Sequence, residues 1–409
     1  MVFIVGMTIW ILALVLVASL AGLGYRQGVV RVAFSLIGIF ISALLAGPLS
    51  APVKPLLPHL GIHNPVAVWL LSPFVVFVVV LSLFKSAGFF VARKVEVHFK
   101  YNAAELQLLL WNRLNRRLGL CLGVVNGFVY LVLISFVIYD FSYWTVQVAP
   151  SDGEARSVRL LNQLGHDLQG TGMDKVARAA DPMPEMYFKA ADLAGLLYQN
   201  PQLADRLANY PMFTSLGERD DFKQLGADAD FQDAWKSRAP AGQLLNYANA
   251  RSIWDNRDTD DLVWNIVKTN MDDLNDYLKT GHSEKYDSEN ILGRWNFNVG
   301  ASVGVLQQTQ PKITANEMQS LRALWSQTFA QTTFLAGADG QAFLKNLPKT
   351  QTLPLETVTW QGQWKDDGDG TNYDLSLAGN GESTTMTAQT DGLRLTIKDE
   401  KGTLIFDRE

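Results

Sequence analysis

The chain has 409 residues, 48% of them hydrophobic, a single cysteine and a formal net charge of −5. That mean hides a division: residues 1–140 carry ten Lys/Arg against three Asp/Glu, net +7, and the remainder 25 against 37, net −12. A lone Cys121 excludes an intrachain disulfide and a cysteine-built metal site, and basic residues placed between apolar runs suit loops on an anionic leaflet, which excludes nucleic acid as a partner.

Residues 2–23 are apolar and uncharged, and Gly24-Tyr25-Arg26-Gln27-Gly28 ends the run. Val17-Ala18-Ser19-Leu20-Ala21-Gly22 has the look of a signal-peptidase site, but no basic segment precedes it, so a retained helix is expected. A second span covers about 29–47, with Arg31 near its start able to reach the headgroups. Pro48, Pro52, Pro55, Pro58 and Pro65 forbid a continuous helix after it. The third span runs from about 67 to 91 with Trp69 as an interfacial anchor, and the fourth covers about 118–138. Between these two, Leu106, Leu109, Leu110 and Leu114 recur at helical spacing among Arg93, Lys94, Lys100, Arg113, Arg116 and Arg117. That pattern predicts an amphipathic helix lying on the membrane surface at 93–117.

Loop one holds Arg26 and Arg31, loop two only Lys54, and loop three six basic residues. The positive-inside rule therefore puts loops one and three in the cytoplasm of a bacterial inner-membrane protein, with both termini and the acidic part outside it. Lys85 and Asn126 form a possible intramembrane polar site, with snorkelling as the plainer reading of Lys85. Gly119, Gly123 and Gly127 share one helical face, which permits close helix approach in lipid.

Two motifs carry a family resemblance. Gly24-Tyr25-Arg26-Gln27-Gly28-Val29-Val30-Arg31 follows the first span, and Asn115-Arg116-Arg117-Leu118-Gly119 with Gly123 and Gly127 enters the fourth. Together with four apolar spans, over about residues 1–145, they resemble the bacterial colicin V production protein family. Its pattern has Gly-x-x-Arg-Gly after the first span and Asp-Arg-x-x-Gly-x-x-x-Gly entering the fourth. Here Asn115 replaces the aspartate, Arg26 is displaced by one, and an acidic residue usual near the family's N-terminus is absent. The resemblance implies a non-enzymatic inner-membrane protein linked to peptide-toxin production or export and to envelope upkeep.

After Tyr143 and Trp144, further interfacial anchors, Ala149-Pro150-Ser151-Asp152-Gly153 reads as a linker. Short amphipathic helices follow, for which Leu160, Leu161, Leu164 and Leu168 are typical. From Gly293-Arg294-Trp295 the pattern alternates, interrupted by one helix whose capping box is Thr314 with Glu317. Strands are expected at 332–336, 341–345, 358–364, 372–377, 384–390, 393–398 and 403–407, closing with the 293–295 segment into an antiparallel β barrel or sandwich. The Gly-x-Trp opening, repeated at Gly362-Gln363-Trp364, resembles the first strand of lipocalin-like domains. That resemblance implies a lipid or hydrophobic peptide held by Trp295 and Trp364; otherwise these indoles fill the core.

The fold class expected is thus a multi-domain membrane protein. It has a four-helix transmembrane bundle (1–145), a soluble α-helical segment (146–290) and an α+β C-terminal domain (291–409). No catalytic motif appears, no cofactor is implied, and Lys365–Gly370 lacks the ligand order of a calcium loop. His59 and His63 lie among prolines and glycine that deny them a common helix face, so they make no metal pair. Expected partners are the bilayer, a second copy or other envelope proteins, and a hydrophobic ligand in the β domain. The function expected is that of a scaffold or accessory factor, with a membrane-anchored binding module and an oligomeric channel or transporter as alternatives.

Overall fold

The computed structural model describes residues 2–62, 65–179, 183–309, 313–349, 356–399 and 402–409; His63 lies outside them. It divides into two compact units, Met1–Gln199 with Arg238–Leu245, and Asn200–Ser237 with Asn246–Glu409.

In the first unit, α1 (Val2–Gln27), α2 (Val29–Ala46), α3 (Pro65–Asn102) and α4 (Glu105–Val148) contain windows long and apolar enough to cross a membrane. The proline-rich connection folds as three short 3₁₀ turns, Pro48–Ser50, Lys54–Leu56 and Pro58–Leu60. Polarity in the bundle is inverted relative to a soluble core. Ser35, Gly38, Ser42, Gly119, Gly123, Asn126 and Ser135 are buried, whereas Leu14, Phe40, Leu44 and Phe90 point outward. Small residues inside and large apolar ones outside are what helices need when lipid is the solvent, because burying leucine there gains nothing.

The surface helix expected at 93–117 does not exist as one element. Its first part continues α3 to Asn102 and its second part begins α4 at Glu105, so the chain turns back at residues 103–104. No glycine or proline stands between Phe89 and Leu118 to stop either helix. Phe99 stacks on Trp111 across the turn, with ring centroids 4.5 Å apart. At 38 and 44 residues, α3 and α4 are about 57 and 66 Å long, well beyond an apolar bilayer core of about 30 Å.

Three helices, α5 (Arg156–Thr171), α6 (Met173–Ala179) and α7 (Glu185–Gln199), pack on the far end of α4. Gly165 meets Ser142, Gly195 meets Gln147, and the Tyr187 hydroxyl donates to Asp140 O at 2.6 Å. Trp69 and Trp144 both stand edge-on to Tyr187, with centroids 6.5 and 5.9 Å away. The aromatic anchors read from sequence are therefore gathered into one collar. Segment 238–245 returns to this unit, where Ala241 N donates to Glu154 Oε1 at 2.8 Å and the Tyr198 hydroxyl donates to Arg238 O at 3.1 Å.

The second unit joins short helices to a closed antiparallel barrel of eight strands. They are β1 (Gly293–Phe297), β2 (Thr333–Ala336), β3 (Gln341–Pro348), β4 (Thr357–Asp366), β5 (Asn372–Gly379), β6 (Glu382–Thr390), β7 (Arg394–Lys398) and β8 (Thr403–Arg408), in sequence order with β8 on β1. Closure leaves no exposed edge. Inward positions alternate along each strand, and Trp295, Phe334, Leu344, Tyr373, Leu375 and Phe406 fill the interior. Between β1 and β2 lies the capped helix Ala315–Thr328, with Thr314 N donating to Glu317 Oε2 at 2.8 Å, and before it a helix Val299–Thr309 that the alternating reading missed. Gly300 and Gly304 lower the apparent helix propensity of that segment.

Within this unit, buried Glu218 bridges Lys223 at 3.0 Å and Lys345 of β3 at 2.9 Å. Burial pushes its carboxyl up, but hydrogen bonds and charge from the two lysines outweigh that and hold it below the usual glutamate value. The Ser215 hydroxyl donates to Asp339 Oδ2 at 2.7 Å, and the Tyr210 hydroxyl to Asp273 Oδ2 at 2.7 Å. Burial and that carboxylate raise the Tyr210 phenol above its ordinary value.

Candidate functional site

Most motif residues are accounted for by packing. α1 lies on α4 through glycines: a methyl on Gly119 would overlap Gly24 O, one on Gly123 would stand 2.6 Å from Leu20 O, and one on Gly127 2.9 Å from Val17 Cα. Gly28 holds φ +82° at the α1–α2 break, a conformation that favours glycine. A methyl there would also meet the Asn115 side chain at 2.5 Å. Asn115 Oδ1 accepts from Val29 N at 2.7 Å, so α4 caps the start of α2. Asparagine and aspartate can both accept such a bond. Asn115→Ala is expected to cost about 1 kcal/mol and Asn115→Asp to cost nothing, since a carboxylate favours a helix N-terminus. Thermal melting in detergent measures both; an unchanged melting point for the alanine variant would remove the cap from the explanation.

The remaining polar residues converge. A cavity of about 530 Å³ opens between the four long helices, lined among others by Gln27, Arg31, Ser35, Lys85, Asn126 and Tyr130. Each of three helices supplies a pair one turn apart: Arg31 with Ser35 on α2, Lys85 with Phe89 on α3, Asn126 with Tyr130 on α4. The Arg31 guanidinium lies 4.9 Å from the Phe89 ring centroid, and Lys85 Nζ lies 5.7 Å from that of Tyr130. Arg31 thus lines the cavity. Lys85 is exposed on the cavity wall, while Asn126 is 5% exposed. Arg31 Nε and Asn126 Oδ1 are buried without a hydrogen-bond partner among the described residues. Among the described residues no carboxylate lines the cavity. At an effective dielectric of about 20, a counter-charge about 4 Å away contributes about 4 kcal/mol, and neither cation has one here.

A second space of about 280 Å³ adjoins it at the hairpin end, and Gln27 and Arg31 line both. Arg26 and Arg116 face this second space, with Glu96 as its acidic residue. Arg117 is exposed and lines neither. Lys85, Asn126, Arg31 and Gly24 were singled out from sequence; Gln27, Ser35 and Tyr130 were not. The signal for the last two was the one-turn spacing of polar residues inside apolar helices.

Trp295 and Trp364 belong to the barrel. Trp295 is fully buried and its Nε1 donates to Ile291 O at 2.8 Å; half-buried Trp364 donates through Nε1 to Gly337 O at 2.8 Å. Trp295 is part of the barrel's buried core, and Trp364 packs against that core.

A bundle with inverted polarity and a charged cavity between its helices belongs to the class of helical membrane proteins. Residues 9–163 match the model of a family described as colicin V production protein, which agrees with the resemblance carried by the two motifs and extends it into α5. The match covers well under half of the chain. No curated protein and no solved structure matches it.

Proposed function

We propose that the chain is a non-enzymatic, multi-pass inner-membrane protein serving envelope or secretion processes, in which the helical bundle acts as a channel or transporter and not as an inert scaffold. One observation carries this reading: Arg31 and Lys85 line a single cavity between apolar helices without a carboxylate partner. Packing alone gives no reason to keep two cations without a counter-charge there, and ionisable groups that face the interior of an apolar helical bundle mark solute pathways. The basic loops support an orientation with both termini outside the cytoplasm. Association of several copies would shield exposed Lys85 from lipid and complete a passage. In this reading the barrel is an accessory domain, since side chains fill it.

Reconstituted full-length protein is expected to raise ion flux above that of empty vesicles, and Lys85→Leu to reduce it by about tenfold or more, the ratio given by about 1.4 kcal/mol of barrier. Flux equal in the two proteins would leave the scaffold reading.

A further inference from the structure

Resting on that reading, we infer that the solute of the cavity is an anion, met first by Arg26 and Arg116 and then held between Arg31 and Lys85. Every polar side chain named for the larger cavity carries a hydrogen-bond donor, and its two charged ones, Arg31 and Lys85, carry nothing else. Arg31 keeps a buried Nε–H without a partner, and the buried Asn126 amide can turn either end to a ligand. A cation entering here would meet two like charges and no carboxylate; an anion supplies the compensation that the wall lacks. The neighbouring space extends the same sign: Arg26, Arg31 and Arg116 outnumber Glu96, and Arg31 belongs to both spaces. A passing anion would therefore move along a series of cationic groups without leaving their field. At about 530 Å³ the cavity has room for a phosphate or carboxylate as well as for a halide. The same chemistry fits a free anion or the phosphate of a lipid headgroup.

Both sources are separable with the intact protein. In phosphatidylcholine vesicles under a gradient of potassium chloride or potassium phosphate, the sign of the diffusion potential reports which ion passes. An anion-dominated potential in the wild type, with anion permeability falling by about tenfold in Lys85→Leu and in Arg31→Gln, is expected. Melting curves of both variants establish that they are folded. Absence of any potential, together with phosphatidylglycerol retained by the wild type and lost by Lys85→Leu in native mass spectrometry, would assign the anion to a headgroup and reject the channel. A potassium-dominated potential would overturn the anion while leaving a conduit. Neither potential nor Lys85-dependent lipid retention would overturn both.

Discussion

Gly119→Leu is expected to prevent the bundle from assembling. Even a single methyl at this position would overlap Gly24 O and stand 3.0 Å from Gly28 Cα. Those neighbours are backbone atoms of α1 and of the break that follows it, which cannot rotate away as a side chain can. Overpacking by a methylene or two costs about 1–3 kcal/mol where side chains can adjust; a whole leucine against backbone should exceed that range. Gly22→Leu is the matched control, since a methyl on Gly22 meets nothing within 4 Å. Size-exclusion profile and melting point in detergent should collapse for the first variant and hold for the second. Equal behaviour of the two would mean that α1 does not pack on α4 through this face.

Trp295→Ala should have the largest effect in the second unit, about 3–5 kcal/mol, the usual cost of removing a buried tryptophan or phenylalanine. The indole is fully enclosed, its Nε1 is satisfied by Ile291 O, and Arg408 lies 5.1 Å from its ring centroid. Removing it leaves a cavity inside a closed barrel whose strands cannot collapse independently. Denaturant unfolding followed by near-UV circular dichroism reads the change. A ligand-carrying barrel would respond differently: little loss of stability and a gain in binding of a hydrophobic dye.

Much of this architecture was legible because each solvent imposes its own period. Long apolar runs gave the four long helices, and alternation gave the strands that close on Trp295. The glycine face at Gly119, Gly123 and Gly127 was readable because glycine at that spacing in an apolar helix has few other uses. Three features were not readable. Basic and apolar residues at 93–117 fit a surface helix as well as two continuing ones, and only the turn at residues 103–104 decides between them. Segment 238–245 packs with α7 and the start of the acidic region through Glu154 and Tyr198, partners that no local pattern predicts. Convergence of Arg31, Lys85 and Asn126 depends on how three separate helices are rotated about their axes, a tertiary property to which the close Gly38–Phe84 and Gly88–Phe34 contacts between α2 and α3 contribute.

Thiol labelling measures most directly whether a water-accessible, positively charged cavity lies inside the bundle. Ser35 is on the cavity wall, and the exposed native Cys121 can be replaced by serine to leave Ser35→Cys as the sole thiol. In intact membranes that cysteine should react with a membrane-impermeant thiol reagent, and faster with an anionic one than with a cationic one of the same size. The preference should shrink when Lys85 is replaced by leucine. A cysteine at this position that stays unreactive, or that prefers the cationic reagent, would contradict the cavity as the functional centre.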